Sequence, residues 1–237
     1  MTVLEQLLTV QEHDTHLDQL HHRRETLPER AALAEQRRAL AALDAETIGV
    51  QEQRDSVGRD QKRVEDEVAS VEAKAAEVDK KLYSGTITSP RELQGFQDDL
   101  ESLRRRQRQL EDEVLAFMEQ IEPLDDDLAA RATRRAEMVA EEHSRSTALT
   151  DAEAAVDAEI DEATTARASD AESIPADVLD RYDRLRKQHD GVAIARLLGN
   201  QCGGCHLTLS AVEVDRIKHE SPDALIYCEE CGRLLVR

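Results

Sequence analysis

Four cysteines carry the clearest chemistry in this sequence. Cys202-Gly-Gly-Cys205 and Cys228-Glu-Glu-Cys231 are two C-x2-C pairs separated by 22 residues. Each pair can present two thiolates on one side of a tight knuckle, and two knuckles supply the four soft donors of a tetrahedral zinc ion. The spacer is longer than the usual run of about 15–20 residues. A helix opening at the capping box Ser210-Ala-Val-Glu213 accounts for the excess. Four cysteines leave no coordination position for water or substrate. The expectation is one structural Zn2+ on Cys202, Cys205, Cys228 and Cys231, with no catalytic residue.

Other cysteine chemistries fit less of the pattern. A redox dithiol needs one C-x2-C at the start of a helix in a βαβ setting and leaves the second pair unexplained. Disulfides need an oxidising compartment. Cys202-Gly-Gly-Cys205-His206 matches the haem-attachment pattern, which leaves Cys228 and Cys231 idle. His13, His16, His21 and His22 lie at helical spacing, where a solvated helix surface is the simpler reading. The sequence has no Gly-rich phosphate loop, no nucleophile elbow and no isolated carboxylate pair in an apolar setting. It is therefore read as a non-enzyme without a small-molecule substrate.

Two basic clusters remain. Arg104-Arg-Arg-Gln-Arg108 lies in a heptad region, where pairing with an acidic opposite helix explains it. Arg181, Arg184, Arg186 and Lys187 lie beside the cysteine module and, with Arg233, form a candidate contact surface for nucleic acid or for a partner protein. The formal net charge is −20, unevenly spread. Residues 172–237 hold 11 acidic and 9 basic side chains, which leaves 40 and 22 for the first 171 residues. That acidic stretch repels polyanions, so duplex DNA and anionic membranes are poor partners, whereas the nearly neutral tail leaves RNA open.

The elements that carry these residues follow from periodicity. Aromatic residues are 2% of the chain and charged residues 35%. This composition suits helices with a narrow apolar seam better than a thick core. Leu43, Val50, Val57, Val64, Val71 and Val78 recur at steps of seven, with Leu33, Leu40, Thr47, Arg54, Gln61, Val68, Ala75 and Leu82 as the companion row. Polar Arg54 and Gln61, with Gly49 and Gly58, make residues 47–61 the weaker part of this arm. A return arm carries Leu93, Leu100, Gln107, Val114, Ile121 and Leu128 beside Phe96, Leu103, Leu110, Phe117, Leu124, Arg131 and Met138. Between the arms, Gly85 can stop one helix, and Ser89-Pro90-Arg-Glu92 can start the next, with the tip near 83–89 and about residue 86. Pro28 and Pro123 are each expected to kink or break a helix.

The expected architecture is mainly α: a long antiparallel coiled-coil hairpin over residues 1–172, then a connecting helix and a small zinc ribbon over 173–237. In the second part, Ser173 is expected to cap a helix that starts at Pro175 and buries Val178, Tyr182 and Leu185. Strands are expected at Val192–Leu198, Leu225–Tyr227 and Leu234–Val236. No apolar run approaches the roughly 20 residues that cross a bilayer, and the first residues lack the features of a signal peptide. The expected location is the reducing cytoplasm.

The hinge Leu82-Tyr-Ser-Gly-Thr-Ile-Thr-Ser-Pro-Arg-Glu-Leu93, the pair Cys202-Gly-Gly-Cys205 and the run Tyr227-Cys-Glu-Glu-Cys231-Gly-Arg-Leu-Leu235 together resemble the bacterial C4-type zinc-ribbon proteins with an N-terminal coiled coil. The resemblance covers essentially the whole chain. It implies zinc on the four cysteines, a hairpin tip near Gly85 and a role in interaction. Relatives partner the enhancer-dependent alternative sigma factor, flagellar or secretion machinery, or messenger RNA. The arms depart from such relatives in being rich in alanine, arginine and acid. The expected function is therefore a zinc-binding adaptor with protein partners, or else an RNA-binding regulator acting through the ribbon and its basic helix.

Overall fold

A computed structural model describes residues 2–85, 88–221 and 224–237. Helix α1 spans Val3–Glu25 and opens on a capping box between Thr2 and Glu5. It stops at Thr26, and α2 begins at Pro28 and runs to Leu82, so Pro28 breaks the helical run. Proline is tolerated as a first helical residue because the N–H it lacks has no partner there in any case. Gly85 follows with φ +73°, the left-handed conformation that ends helices. The expected tip at Thr86, and Ile87 beside it, lie outside the described residues. Helix α3 spans Pro90–Ala171 and continues through Pro123. Pro123 therefore does not break the helix as one of the two expected outcomes required. One missing N–H is a local loss in a ladder of 82 residues.

Contacts divide the chain into two compact units, Leu33–Ser144 and Met1–Ala32 with Arg145–Arg237. In the first, α2 and α3 run antiparallel in constant register. Arg37 pairs with Glu142, Asp44 with Arg135, and Arg54 with Asp125, so each step along one helix matches an equal step back on the other. The heptad rows face inward: Leu33, Leu43, Val64, Ala75, Leu100 and Leu110 are buried, and most other row positions are half-buried. Leu93, read as a seam residue, is exposed. Gln36 sits on the seam and satisfies its amide by donating to the Met138 carbonyl at 2.9 Å. Arg104 and Arg106 pair across the hairpin with Asp79 and Glu67, and Arg105 pairs with Glu101 along its own helix. The first basic cluster is thus the flank of a coiled coil.

In the second unit, Leu20 of α1 and Leu27 just after it pack against Val156 and Ala163 in the C-terminal part of α3, flanked by Arg23–Glu159 and Arg24–Asp157 ion pairs. Helix α4, Ala176–Gln188, buries Val178 and Tyr182. Its N-cap is Pro175, with no side-chain cap. Ser173 instead accepts a hydrogen bond from the Gln6 amide at 3.0 Å, which corrects its expected role. Strand β1, Ile194–Leu198, pairs antiparallel with β2, Gln201–Cys202, and parallel with β3, Leu234–Val236. Helix α5 spans Ala211–His219 and is capped by Ser210, which accepts from the Glu213 amide. The Glu213 carboxylate completes no reciprocal box and is held by Arg216. Tyr227 reaches Leu234 only by an isolated bridge, so Leu225–Tyr227 is not a strand. Its backbone must turn into the second cysteine knuckle.

Two further apolar cores share this unit. One joins Leu4, Leu7, Leu8 and Val10 of α1 to Ile174, Tyr182, Ile194 and Leu234. The other lies inside the ribbon, around Cys202, Leu209, Ile217, Ile226, Cys228 and Leu235. The Gln11 amide joins α1 to the sheet: its oxygen accepts from the Ala193 and Ile194 amides, and its nitrogen donates to the Ile194 carbonyl at 2.8 Å.

Candidate functional site

The first knuckle is the turn after β2. The Gly203 amide donates to the Arg196 carbonyl at 2.9 Å, and the Gly204 amide donates to Cys202 Sγ at 3.4 Å. A Cβ at Gly203 would stand 2.9 Å from that carbonyl oxygen, and one at Gly204 would stand 2.7 Å from Arg233 Cδ and 3.1 Å from Ala195 Cβ. Both glycines are needed for close approach. The second knuckle mirrors the first. Cys228 donates to the Arg233 carbonyl, Gly232 donates to the Cys228 carbonyl at 2.7 Å, and Gly232 takes φ +76°.

These turns bring the four sulfurs together. All lie within 4.8 Å of one another, and Cys205 and Cys228 are 3.9 Å apart. A tetrahedral zinc with bonds of about 2.3 Å has its sulfurs about 3.8 Å apart, so the donor set fits this metal. Cys202 and Cys228 are buried, Cys205 and Cys231 half-buried. Burial pushes the Cys228 thiol up to about 12. Burial also acts to raise Cys231, but hydrogen bonds from the Arg233 backbone and side chain, then from Cys228 and Cys205, outweigh it and lower that thiol. The metal-free site therefore resists losing protons at Cys228, and a cation must supply the compensation.

Arg233 belongs to this frame. Its Nε donates to the Val192 carbonyl at 2.8 Å, and Nη2 reaches the His189 carbonyl at 3.5 Å, so the side chain crosses Gly204 and ties the second knuckle to the end of α4. Arg186 is also engaged internally: it pairs with Asp18 at 2.5 Å and donates to the Asp14 carbonyl at 3.1 Å. Arg181, Arg184 and Lys187 are exposed. Arg181 and Arg184 line an open hollow of about 340 Å³ with Leu185, Gln188 and Tyr227, and the nearby Tyr227 hydroxyl raises the Arg181 guanidinium. The candidate contact surface thus separates into three outward cations and two structural ones.

Sequence reasoning missed a buried ionic cluster behind this surface. Asp14 is 4% exposed and accepts from Arg167 at 2.7 Å and from the Tyr182 hydroxyl at 2.7 Å, while Arg167 also reaches Asp183. A signal existed: Gln11 and Asp14 continue the stripe of Leu4, Leu7 and Leu8, and polar residues on an apolar helical face need partners. Among the histidines, His13 bonds Asp170 at 2.8 Å, and the cysteine set is the metal-ligand cluster found among the described residues.

The fold and the site define a coiled-coil hairpin joined to a four-cysteine zinc ribbon. The chain belongs to the CT398-like coiled coil hairpin family, whose model matches residues 10–190, and residues 201–235 match the C4-type zinc ribbon domain. The four cysteines accordingly hold one structural zinc. Similar over 98% of this chain and 94% of its own length is Rv2229c of Mycobacterium tuberculosis, 27% identical. A solved structure from Mycobacterium smegmatis, 26% identical, covers 99% of this chain and 97% of its own with a TM-score of 0.73. CT398 from Chlamydia trachomatis, 15% identical, shares the fold over 98% and 96% of the two chains with a TM-score of 0.71. No described helix is long and apolar enough to cross a membrane.

Proposed function

We propose that this protein is a non-enzymatic adaptor of the cytoplasm: the hairpin offers binding surface to protein partners and the zinc ribbon is a folded head. The observation that carries this reading is the closed donor set. Four thiols converge on one point, and zinc bound there keeps no open position at which to activate water or polarise a substrate. Thiolate sites of this kind persist where thiols stay reduced, which supports the cytoplasm. The test is affinity capture of the full chain from its host, with Cys228→Ser and Val64→Asp variants in parallel. Partners retained by the wild type and lost selectively with one variant support the adaptor and assign the module. A chain that captures no stoichiometric partner under cross-linking contradicts it.

A second reading rests on the hollow between α4 and the second knuckle. Exposed Arg181 and Arg184 beside Tyr227, with exposed Lys187 on the same helix, join cations to an aromatic face, a combination that suits single-stranded RNA. Filter binding across a salt series decides. RNA affinity that falls steeply with salt and is lost in Arg184→Glu/Lys187→Glu promotes the regulator. No binding at low salt removes it. Arg186 and Arg233 are left out of this variant because their side chains hold the fold.

A further inference from the structure

One flank of the α2–α3 hairpin carries an apolar patch bordered by carboxylates that form no ion pair among the described residues. Between the helices lies an open groove of about 340 Å³ lined by Val68, Val114 and Leu115, with Glu65 and Glu111 at its edges. The groove continues in both directions. Glu111 also lines a hollow toward Tyr83, and Glu65 one toward Arg54. From Tyr83 to Arg54 this flank runs about 40 Å at 1.5 Å per residue. Leu115 is 57% exposed, and Met118, one turn further on, is 51% exposed. Most large apolar side chains of these helices turn into the seam, so two adjacent outward ones depart from the pattern.

The charges around the patch are distinctive. The Glu65 carboxylate accepts from the Gln61 amide at 2.8 Å, and the Gln107 amide donates to both Glu72 and Glu111. None of these three carboxylates forms an ion pair among the described residues. Three cations of the same flank are already used: Lys62 holds Asp66, Arg54 holds Asp125, and Arg104 lies 3.8 Å from Asp79. Arg108, one turn toward the tip from Glu111, and Arg59, in the hollow shared with Glu65, offset part of the charge, leaving three carboxylates against two cations without ion pairs among the described residues.

We propose that this flank docks a basic amphipathic helix of a partner protein. The inference rests on the adaptor reading and specifies its surface. Leu115, Met118 and the groove floor fit apolar anchors at i, i+3 or i+4, and i+7, the spacing with which helices enter grooves. Glu65, Glu72 and Glu111 select lysine or arginine on either side of those anchors, which fixes register and rejects acidic helices. A second copy of this chain is a poor occupant, because the same three carboxylates would face their equivalents. An RNA strand meets the same repulsion.

The test uses the full chain and two synthetic helical peptides of about 25 residues, long enough to follow the groove. They share leucine anchors at the stated spacing and differ in flanking lysines or glutamates. Fluorescence anisotropy should show binding of the lysine peptide alone. Affinity should fall about tenfold or more in Leu115→Ser/Met118→Ser. Those positions are exposed, so circular dichroism should be unchanged. In Glu65→Lys/Glu111→Lys the preference should reverse to the glutamate peptide. Lysine-peptide binding that survives the serine variant would reflect general attraction to an acidic protein and overturns the proposal. So does failure of both peptides, or dimerisation in sedimentation that disappears with the serine variant. Failure here together with partner capture through the ribbon leaves the adaptor standing and removes this groove from it.

Discussion

The Tyr182 hydroxyl donates to the Asp14 carboxylate at 2.7 Å, joining α4 to α1 across 168 residues of sequence. Arg167 closes the cluster from α3, and burial together with the bond to Asp14 raises the Tyr182 hydroxyl far above its ordinary range, so it remains a neutral donor. Removing the carboxylate leaves Arg167 with Asp183 alone and Arg186 with Asp18 alone. Asp14→Ala should cost about 2–4 kcal/mol, toward the lower end because Arg167 and Arg186 keep some solvent. Tyr182→Phe should cost about 1–2 kcal/mol. Urea unfolding followed by circular dichroism measures both. A neutral Asp14→Ala contradicts the cluster's role.

The hairpin seam is tested by contrast. Val64 is 2% exposed and Val212 is 82% exposed. Val64→Asp should lower stability by about 2–4 kcal/mol, since the carboxylate is buried without a partner. Val212→Asp should change it by less than about 0.5 kcal/mol. Thermal melts of the two variants give the comparison, and similar shifts would mean that the seam is wrongly assigned.

Pro123 offers a stabilising substitution. α3 continues through it, so the backbone there is already helical and only the N–H is missing. Pro123→Ala should restore one ladder bond and raise stability by about 1–3 kcal/mol. Hydrogen exchange should slow in the neighbouring turns. A destabilised variant would show that the proline shapes the helix in a way the chain depends on.

Much of this was legible because it depends on local period. The heptad rows of α2 and α3 predict their own burial, and Gly85 and Pro90 mark the ends around the tip. The cysteine knuckles were legible because zinc fixes both donor type and spacing. What was not legible depends on partners far along the chain. Gln11 meets Ala193 and Ile194 across 182 and 183 residues, and no local pattern announces that α1 lies against the sheet. The chemistry of an arginine likewise depends on its neighbours. Arg184 and Arg186 look alike in sequence, yet one is exposed and the other is bound to Asp14 and Asp18. Leu225–Tyr227 has strand composition, but the second knuckle turns its backbone away.

Zinc affinity should depend steeply on pH. Burial holds the Cys228 thiol up to about 12 without metal, so binding at neutral pH must displace its proton. The raised value favours the protonated metal-free ribbon at neutral and lower pH, a preference lost only as pH rises through about 12. Apparent affinity should therefore climb with pH through the neutral range, and binding should release protons. Competition with a chelator at several pH values checks this. An affinity flat with pH would mean that the thiols are already ionised without metal.

The most direct test is the metal content of the purified chain, read beside its fold. Four sulfurs within 4.8 Å should hold one zinc per chain, and Cys228→Ser should lose tight binding. In that variant, resonances of Leu209, Ile217 and Leu235 in the ribbon core should collapse. Helix content should stay nearly unchanged, because the hairpin seam is held by its own apolar rows and not by the metal. Stoichiometric zinc in Cys228→Ser, or an intact ribbon core without metal, would contradict the account.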